Sequence, residues 1–267
     1  MNVTAPDLVR FKSEGRRFVL LTAYDFPTAQ IFDEAGAHVL LVGDTLSIFA
    51  LGQPTTLPVT MDQMIHHCQA VARGARQALV VGDLPFGTYQ VSIDEAVHNA
   101  ARFFKEGGAR AVKLEGPLFE HIEAFTNCGM PTFGHLGLTP QSVHAFGGNK
   151  VQARTEERVK RLVADAKCLE EAGAVAVVLE AVPSEAGRRV TEALGIPTIG
   201  VGGGPHCDAH GMIASDLLAL SGGPYPKFAK SYVDAREQLL RAARSFIEEV
   251  EAGAYPDAAH SYDWSIA

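Results

Sequence analysis

The sequence contains little that would mark a secreted, membrane-spanning or nucleic-acid-binding protein. Its 267 residues include only four cysteines, with no CxxC pair, which favours reduced thiols over a disulfide framework. No apolar run reaches the ~20 residues that cross a bilayer, and the N-terminal segment lacks the apolar centre of a signal peptide. The formal net charge of −8 disfavours nucleic acid, which binds basic surfaces. We therefore expect a cytoplasmic protein that binds small molecules and has no membrane or nucleic-acid partner.

Two common functional signatures are also missing. The ten histidines form no HExxH pattern, so the sequence does not predict a zinc hydrolase. The glycine-rich stretch at 200–204 comes late in the chain and does not spell GxGxxG. A tight turn is therefore a simpler interpretation of this stretch than a dinucleotide-binding loop.

Strand and helix signals instead alternate along the whole chain. Strands are predicted at Phe18–Tyr24, Val39–Val42, Ala78–Val81, Ala111–Leu114, Pro131–Phe133, Val175–Leu179, Ile196–Val201 and, weakly, Asp216–Leu220. Helices are predicted at Pro27–Ala35, Met61–Arg73, Ser92–Glu106, Leu118–Asn127, Glu156–Ala172, Ser184–Leu194 and Val233–Glu251. This alternation without internal repeats favours an α/β fold, a (β/α)8 TIM barrel, over an open doubly wound sheet. We expect one barrel domain over residues 1–267, with a C-terminal helix and tail.

Four of the apolar runs end on an acid, namely Asp44, Asp83, Glu115 and Glu180. In a parallel α/β protein the carboxyl ends of the strands carry the active site. Carboxylate oxygens from several strands would suit a hard cation, Mg²⁺ or Mn²⁺ rather than Zn²⁺. The alternative for Asp44, Asp83 and Glu180 is that each caps the segment after it. Their repetition at strand ends favours a shared metal site.

Three further positions are candidates for chemistry. Lys113 and Glu115 alternate within one strand and so face the same side, either as a structural salt bridge or as a lysine beside a metal-bound carboxylate that contacts a substrate carboxylate. Glu180 follows the most apolar strand and is a candidate general base; its alternative is a cap near Ser184. His135, between two glycines, is either a ligand contact or a structural histidine.

Short blocks spread over nearly the whole chain resemble one enzyme family. They lie at 21–25, 41–44, 56–60, 83–86, 112–116, 134–141, 146–148, 179–180, 196–197, 226–228 and 255–256. In this order they resemble ketopantoate hydroxymethyltransferase (3-methyl-2-oxobutanoate hydroxymethyltransferase). The resemblance implies a (β/α)8 barrel of the phosphoenolpyruvate/pyruvate type, a cytoplasmic location and a homo-oligomer, a decamer of two stacked five-membered rings.

The resemblance also implies a reaction and roles for residues. The reaction is transfer of a hydroxymethyl group from 5,10-methylenetetrahydrofolate to 3-methyl-2-oxobutanoate (2-oxoisovalerate), through a Mg²⁺-stabilised enolate, to give 2-dehydropantoate in pantothenate biosynthesis. Mg²⁺ would be held, directly or through water, by Asp44, Asp83 and Glu115. The keto acid would contact Asp44, Thr45, Asp83, Lys113 and His135, and Glu180 would accept a proton.

The sequence departs from the family in two places and leaves two other functions open. Thr45 stands where the family usually has Ser, and residues 202–216 lack the family's usual glycine and D-G-Q pattern. One alternative function is a Mg²⁺-dependent carbon–carbon lyase or mutase acting on a 2-oxo acid, which we would expect to carry a reactive cysteine loop. The other is a non-catalytic keto-acid-binding paralogue, which we would expect to lack one of the four acids. Neither expectation is met.

Overall fold

Eight parallel strands form a closed barrel in a computed structural model that describes residues 2–264. The strands are β1 Phe18–Thr22, β2 Val39–Val42, β3 Leu79–Asp83, β4 Ala111–Glu115, β5 Thr132–Gly137, β6 Ala176–Glu180, β7 Thr198–Val201 and β8 Ala209–Met212. Each strand pairs with the next along the chain, and β8 pairs with β1 to close the ring. The predicted (β/α)8 barrel is confirmed.

Helices cover most of the connections between strands. They are α1 Ala5–Ser13, α2 Phe26–Glu34, α3 Leu46–Phe49, α4 Met61–Gly74, α5 Ile93–Arg102, α6 Phe119–Asn127, α7 Val143–Phe146, α8 Glu156–Glu171, α9 Ser184–Ala193, α10 Ala214–Leu217 and α11 Ala235–Glu251. Side-chain caps fix several starts: Thr60 accepts from the Gln63 backbone N–H, and Ser92 from that of Glu95. Among residues 2–264, none of these helices has the length and apolar character needed to cross a membrane.

The eighth strand lies where the sequence did not predict it. The weak prediction at Asp216–Leu220 is wrong, because Asp216 falls in the short helix α10. The strand is Ala209–Met212, whose His210 and Gly211 give it no apolar signature. Its identity comes from pairing with β1 and β7 on its two sides. Barrel closure makes this segment a strand, since intrinsic strand propensity is weak beside tertiary context.

A helix absent from the sequence predictions packs against the barrel interior. α1 contributes Ala5, Leu8 and Phe11 to one buried cluster. The other members are inward-facing strand residues, Phe18, Leu20, Val39, Leu41, Leu79, Val81, Ala111, Phe133, Ala176, Val178, Ile199, Val201 and Ala209. Because these side chains fill the barrel, it is a packed core and not a pore, and polar groups are concentrated at its other end.

The described chain forms two compact units, one ending at Ala214 and the other beginning at Ser215. The second unit contains α11, which Asp234 caps by accepting from the Glu237 backbone N–H (3.0 Å). The described residues of α11 include no buried side chain. One domain over residues 1–267 stays a prediction, and the last three residues of its tail lie outside the described chain. The four cysteines are free.

Candidate active site

Strand alternation brings five polar side chains to the carboxyl end of the barrel. Asp83, Glu115 and Glu180 end β3, β4 and β6, while Lys113 and His135 lie two residues before the ends of β4 and β5. Every second residue of a strand faces the same side, so each shares its face with core residues nearer the amino end. Those core residues are Leu79, Val81, Ala111, Phe133, Ala176 and Val178. The predicted shared orientation of Lys113 and Glu115 is confirmed.

These side chains line a narrow cavity together with Asp44 and Thr45. The cavity measures about 40 Å³, which is space for a few waters or one small anion. Asp44, Asp83 and Glu115 are 2%, 1% and 5% exposed; we call these three carboxylates the acidic cluster. Glu180 is half-buried, so a ligand entering from solvent reaches it more readily than the acidic cluster.

Lys113 pairs chiefly with Asp83 across the strands. Its Nζ lies 2.6 Å from Asp83 Oδ1 and 3.8 Å from Glu115 Oε1. The register of the sheet sets Lys113 directly beside Asp83, which explains the shorter contact. Burial alone would lower the pKa of Lys113, but the charges of Asp83, Glu115 and Asp44 raise it above its ordinary value. Lys113 therefore stays charged inside the protein.

Burial and mutual repulsion act together on the acidic cluster. Burial, and then the charges of Asp83 and Glu115, hold the pKa of Asp44 well above its usual range. Burial also raises the pKa of Asp83, although Lys113 opposes the rise. Burial would raise the pKa of Glu115, but His135 and Lys113 outweigh it and lower that pKa. The cavity holds more acid than Lys113 can neutralise, and a bound cation would relieve the repulsion.

The acids do not serve as helix caps. Asp44 accepts a hydrogen bond from Gln141 Nε2 (2.9 Å), and its backbone N–H donates to Asp83 Oδ2 (3.1 Å). α3, the helix that follows Asp44, has no side-chain cap, and neither has α9, which follows Glu180. The capping interpretation of Asp44 and Glu180 is therefore wrong.

His135 lies between two carboxylates. Its Nδ1 is 3.3 Å from Glu115 Oε1, and its Nε2 is 3.4 Å from Glu180 Oε2. Neither contact is a full hydrogen bond, and both ring nitrogens are buried without a hydrogen-bond partner among the described residues. Burial and Lys113 lower the pKa of His135, but the two carboxylates outweigh them and raise it to about 9. An unsatisfied ring N–H facing a cavity is available to a ligand.

The carboxylates of the cavity suit Mg²⁺, provided that other ligands complete its coordination. All nearby anionic donors are carboxylate oxygens, the ligands this ion prefers, and Asp44 Oδ1 accepts no hydrogen bond from the described residues. In the described part of the chain, however, no three His, Cys, Asp or Glu side chains are arranged to hold an ion by themselves. Water or substrate would have to complete the coordination, as is usual for Mg²⁺.

The sequence model of the ketopantoate hydroxymethyltransferase family matches residues 2–258. The chain belongs to the ketopantoate hydroxymethyltransferase family. A 3-methyl-2-oxobutanoate hydroxymethyltransferase of Thermobifida fusca (strain YX) is 51% identical over 262 residues, covering 97% of this chain and 93% of the relative. Another, of Thermoanaerobacter sp. (strain X514), is 46% identical and covers 97% of this chain and 96% of the relative.

Solved structures share the barrel of this ketopantoate hydroxymethyltransferase family member. A phosphonopyruvate hydrolase complexed with oxalate and Mg²⁺ has a TM-score of 0.65 at 17% identity, covering 97% of this chain and 93% of that one. A 2,3-dimethylmalate lyase of the PEP mutase/isocitrate lyase superfamily has a TM-score of 0.59 at 16% identity, covering 98% and 93%. At such identities the similarity shows the fold alone, a (β/α)8 barrel.

The departure at 202–216 reaches both ends of the barrel, since Met212 and Ile213 line the cavity whereas Asp208 lies away from it. Asp208 accepts from the backbone N–H of Thr198 (2.8 Å) and pairs with Lys12 of α1 (3.0 Å). Thr198 is the first residue of β7, so Asp208 belongs to the amino end of the barrel, opposite the cavity. The other departure, Thr45, keeps its hydroxyl at the cavity, 2.8 Å from the Tyr24 hydroxyl.

Sequence reasoning missed Gln141 and Tyr89. The backbone N–H of Gln141 donates to Glu115 Oε2 (3.0 Å), and its Nε2 donates to Asp44 Oδ2 and to the Leu84 carbonyl (both 2.9 Å). The Tyr89 hydroxyl donates to Gln141 Oε1 (2.5 Å). Gln141 lies inside one of the blocks that resemble the family, which was the one available signal. Glutamine is common on protein surfaces, so the residue type gave no reason to expect a buried side chain that joins several polar groups by hydrogen bonds.

Proposed function

We propose that this protein transfers a hydroxymethyl group from 5,10-methylenetetrahydrofolate to 3-methyl-2-oxobutanoate, giving 2-dehydropantoate for pantothenate biosynthesis. The observation that carries the proposal is the convergence of Glu180, His135 and Lys113 with the acidic cluster around one narrow cavity. Family membership and the names of the relatives support the reaction in general. A lyase or mutase would need no folate, so omission of methylenetetrahydrofolate from the assay separates the two reactions.

The acidic cluster would hold Mg²⁺, directly or through water, with Asp44 Oδ1 the first candidate for direct contact. When bound, the ion supplies Lewis-acid polarisation of the substrate carbonyl. Lys113 keeps its positive charge within the cavity, where it suits the carboxylate of the keto acid. Asp83 holds that lysine in place. The Thr45 hydroxyl and the His135 ring are the remaining polar contacts for the substrate.

Glu180 is the proposed proton acceptor, because it is the acid of the cavity that a ligand from solvent reaches most readily. His135 lies 3.4 Å from its carboxylate and restricts its orientation. Glu180 takes the proton from C3 of the keto acid, and C3 then bonds to the methylene carbon as the bond from that carbon to N10 of the folate breaks, and N10 receives the proton. Water then replaces N5 on the same carbon: its oxygen becomes the hydroxyl, its proton goes to N5, and tetrahydrofolate leaves.

A Glu180→Gln variant tests this assignment. A positioned general base contributes about 10²–10⁴-fold, so exchange of the C3 hydrogen of 3-methyl-2-oxobutanoate for deuterium should slow by at least about a hundredfold. Exchange is followed by NMR without folate, and calorimetry checks that the keto acid still binds. Glu185→Gln, an exposed acid of α9, is the matched control. Exchange at the original rate in Glu180→Gln would remove Glu180 from this role.

The proposal extends to a cytoplasmic homo-oligomer, a decamer by family resemblance. Exposed apolar residues on α11, at Leu239, Phe246, Ile247 and Val250, support association, because monomers rarely leave contiguous apolar surface in water. Sedimentation equilibrium measures the state directly, and a monomeric mass would end this part of the proposal.

A further inference from the structure

A positively charged cleft lies on the segment between β5 and β6. It measures about 680 Å³ and is lined by Ala145, Phe146, Lys150, Val151, Gln152, Arg154 and Arg158. Three of these residues are cationic and none is acidic, in a chain whose formal net charge is −8. We call this the basic cleft. Its charge is opposite to that of the cavity that holds the acidic cluster.

The cations of the basic cleft have no acidic partners. Lys150, Arg154 and Arg158 take part in none of the ion pairs between described residues. Of the two acids that begin α8, Glu156 instead faces Arg189 on α9, 2.8 Å away, and neither lines the cleft. A structural salt-bridge network therefore does not account for this cluster of charge, and an anionic ligand would.

Backbone contacts connect the basic cleft to the proposed base. The backbone N–H of Leu138 donates to the Glu180 carbonyl (2.8 Å), and that of Gln152 donates to the Ala181 carbonyl (3.0 Å). The segment 138–152 thus begins and ends on two consecutive carbonyls at the end of β6. Ala153 and Ala181 have φ values of 52° and 45°, a left-handed backbone that non-glycine residues rarely adopt. Such strain persists where the surrounding structure imposes it, and the hydrogen bond of Gln152 attaches one lining residue of the cleft to the residue after Glu180.

We propose that the basic cleft binds the carboxylates of the folate's glutamate tail. The inference rests on the proposed function, in which the reacting methylene carbon meets the keto acid beside Glu180. In that folate an aminobenzoyl group separates the reacting carbon from the glutamate carboxylates. The narrow cavity has space for one small anion, the keto acid, so the tail has to lie outside it. Arg154, Arg158 and Lys150 supply the opposite charge, and Phe146 and Val151 supply apolar surface next to it.

The test compares the affinity for one glutamate with that for three. Isothermal titration calorimetry measures Kd for tetrahydrofolate monoglutamate and triglutamate, with the unaltered protein and with the double variant Arg154→Ala/Arg158→Ala. Exposed ion pairs are individually weak, so we expect the triglutamate to bind about three- to tenfold more tightly than the monoglutamate. In the double variant the ratio should fall to near one. Added salt should reduce the preference, since exposed charges are screened.

Two control variants distinguish the effect of removing positive charge from the cleft from a general disturbance of the structure. Lys167→Ala removes an exposed cation further along α8, outside the cleft, and should leave the preference unchanged. Arg154→Lys/Arg158→Lys keeps the charge and should retain most of it. An equal Kd for both folates in the unaltered protein, or an unchanged preference in the alanine double variant, would overturn the assignment.

Measurements on the same protein samples distinguish a failure of the cleft assignment from a failure of the proposed reaction. Deuterium exchange at C3 needs no folate tail, so it reports on Glu180 whatever the binding result. A triglutamate preference without turnover would support the basic cleft and contradict the proposed reaction. Turnover with no preference would support the reaction and contradict the cleft. If neither folate binds, the cleft assignment falls, and C3 exchange still decides the role of Glu180.

Discussion

The inner cavity and the basic cleft differ in charge, burial and origin. The cavity is acidic, buried and narrow, about 40 Å³, and its polar groups come from the ends of separate strands. The cleft is basic, exposed and about 680 Å³, and it comes from one continuous segment, 145–158. Groups of the first kind hold one another in place, so changing one disturbs the fold. Groups of the second kind are free to change, as is usual for loops that select ligands on a rigid scaffold.

The largest effect on stability is expected at Lys113. Lys113→Met removes the buried cation that pairs with Asp83 and leaves that carboxylate uncompensated. We expect the free energy of unfolding to fall by about 3–5 kcal/mol, measured by urea unfolding at pH 7 with a chelator present. Adding Asp83→Asn should restore part of the loss.

The basic cleft provides the contrast for that measurement. Arg154→Ala should change the free energy of unfolding by less than about 0.5 kcal/mol, because Arg154 is exposed and forms no ion pair with another described residue. If Lys113→Met lowered the free energy of unfolding as little as Arg154→Ala, the inner cavity and the basic cleft would not differ in their contribution to stability.

A pH dependence of similar or smaller size is expected from His135. Its pKa is raised from 6.5 to about 9, so the folded state binds a proton that the unfolded state releases earlier. The stabilisation is complete below pH 6.5 and is lost as pH rises through 9, and it amounts to at most about 3 kcal/mol. Urea unfolding of the chelator-treated protein between pH 6 and 9.5 measures it. His135→Asn should flatten the dependence over this range; an equally steep fall in that variant would assign the dependence to another group.

The smallest effects are expected at the junction of Gln141 and Tyr89. Gln141→Leu leaves the Leu84 carbonyl without its donor and the Tyr89 hydroxyl without its acceptor, at a cost of about 1–3 kcal/mol. Tyr89→Phe removes two hydrogen bonds, the one donated to Gln141 Oε1 and the longer one accepted from the Glu115 backbone N–H (3.3 Å), and should cost about 1–2 kcal/mol. The double variant should cost less than the sum, since each change removes part of the same contact. Strictly additive losses in urea unfolding would show that the two residues act independently.

Much of the fold and part of the site followed from local pattern. Alternation along β4 was enough to set Lys113 and Glu115 on one face, and apolar runs marked seven of the eight strands. The eighth, Ala209–Met212, has little apolar character and becomes a strand only by pairing on both sides. Gln141 was missed because its contacts join residues as distant in sequence as Asp44.

The sequence by itself determined the barrel and the acids at the ends of its strands, because strand period and hydrophobic pattern are properties of neighbouring residues. Only the tertiary structure decided that Lys113 pairs with Asp83 more closely than with Glu115 and that His135 lies between Glu115 and Glu180. It also decided that the loop carrying the basic cleft is hydrogen-bonded to the end of β6. Those contacts depend on sheet register and on the return path of a loop. Both are set when the ring closes, and neither leaves a signature in any short stretch of the chain.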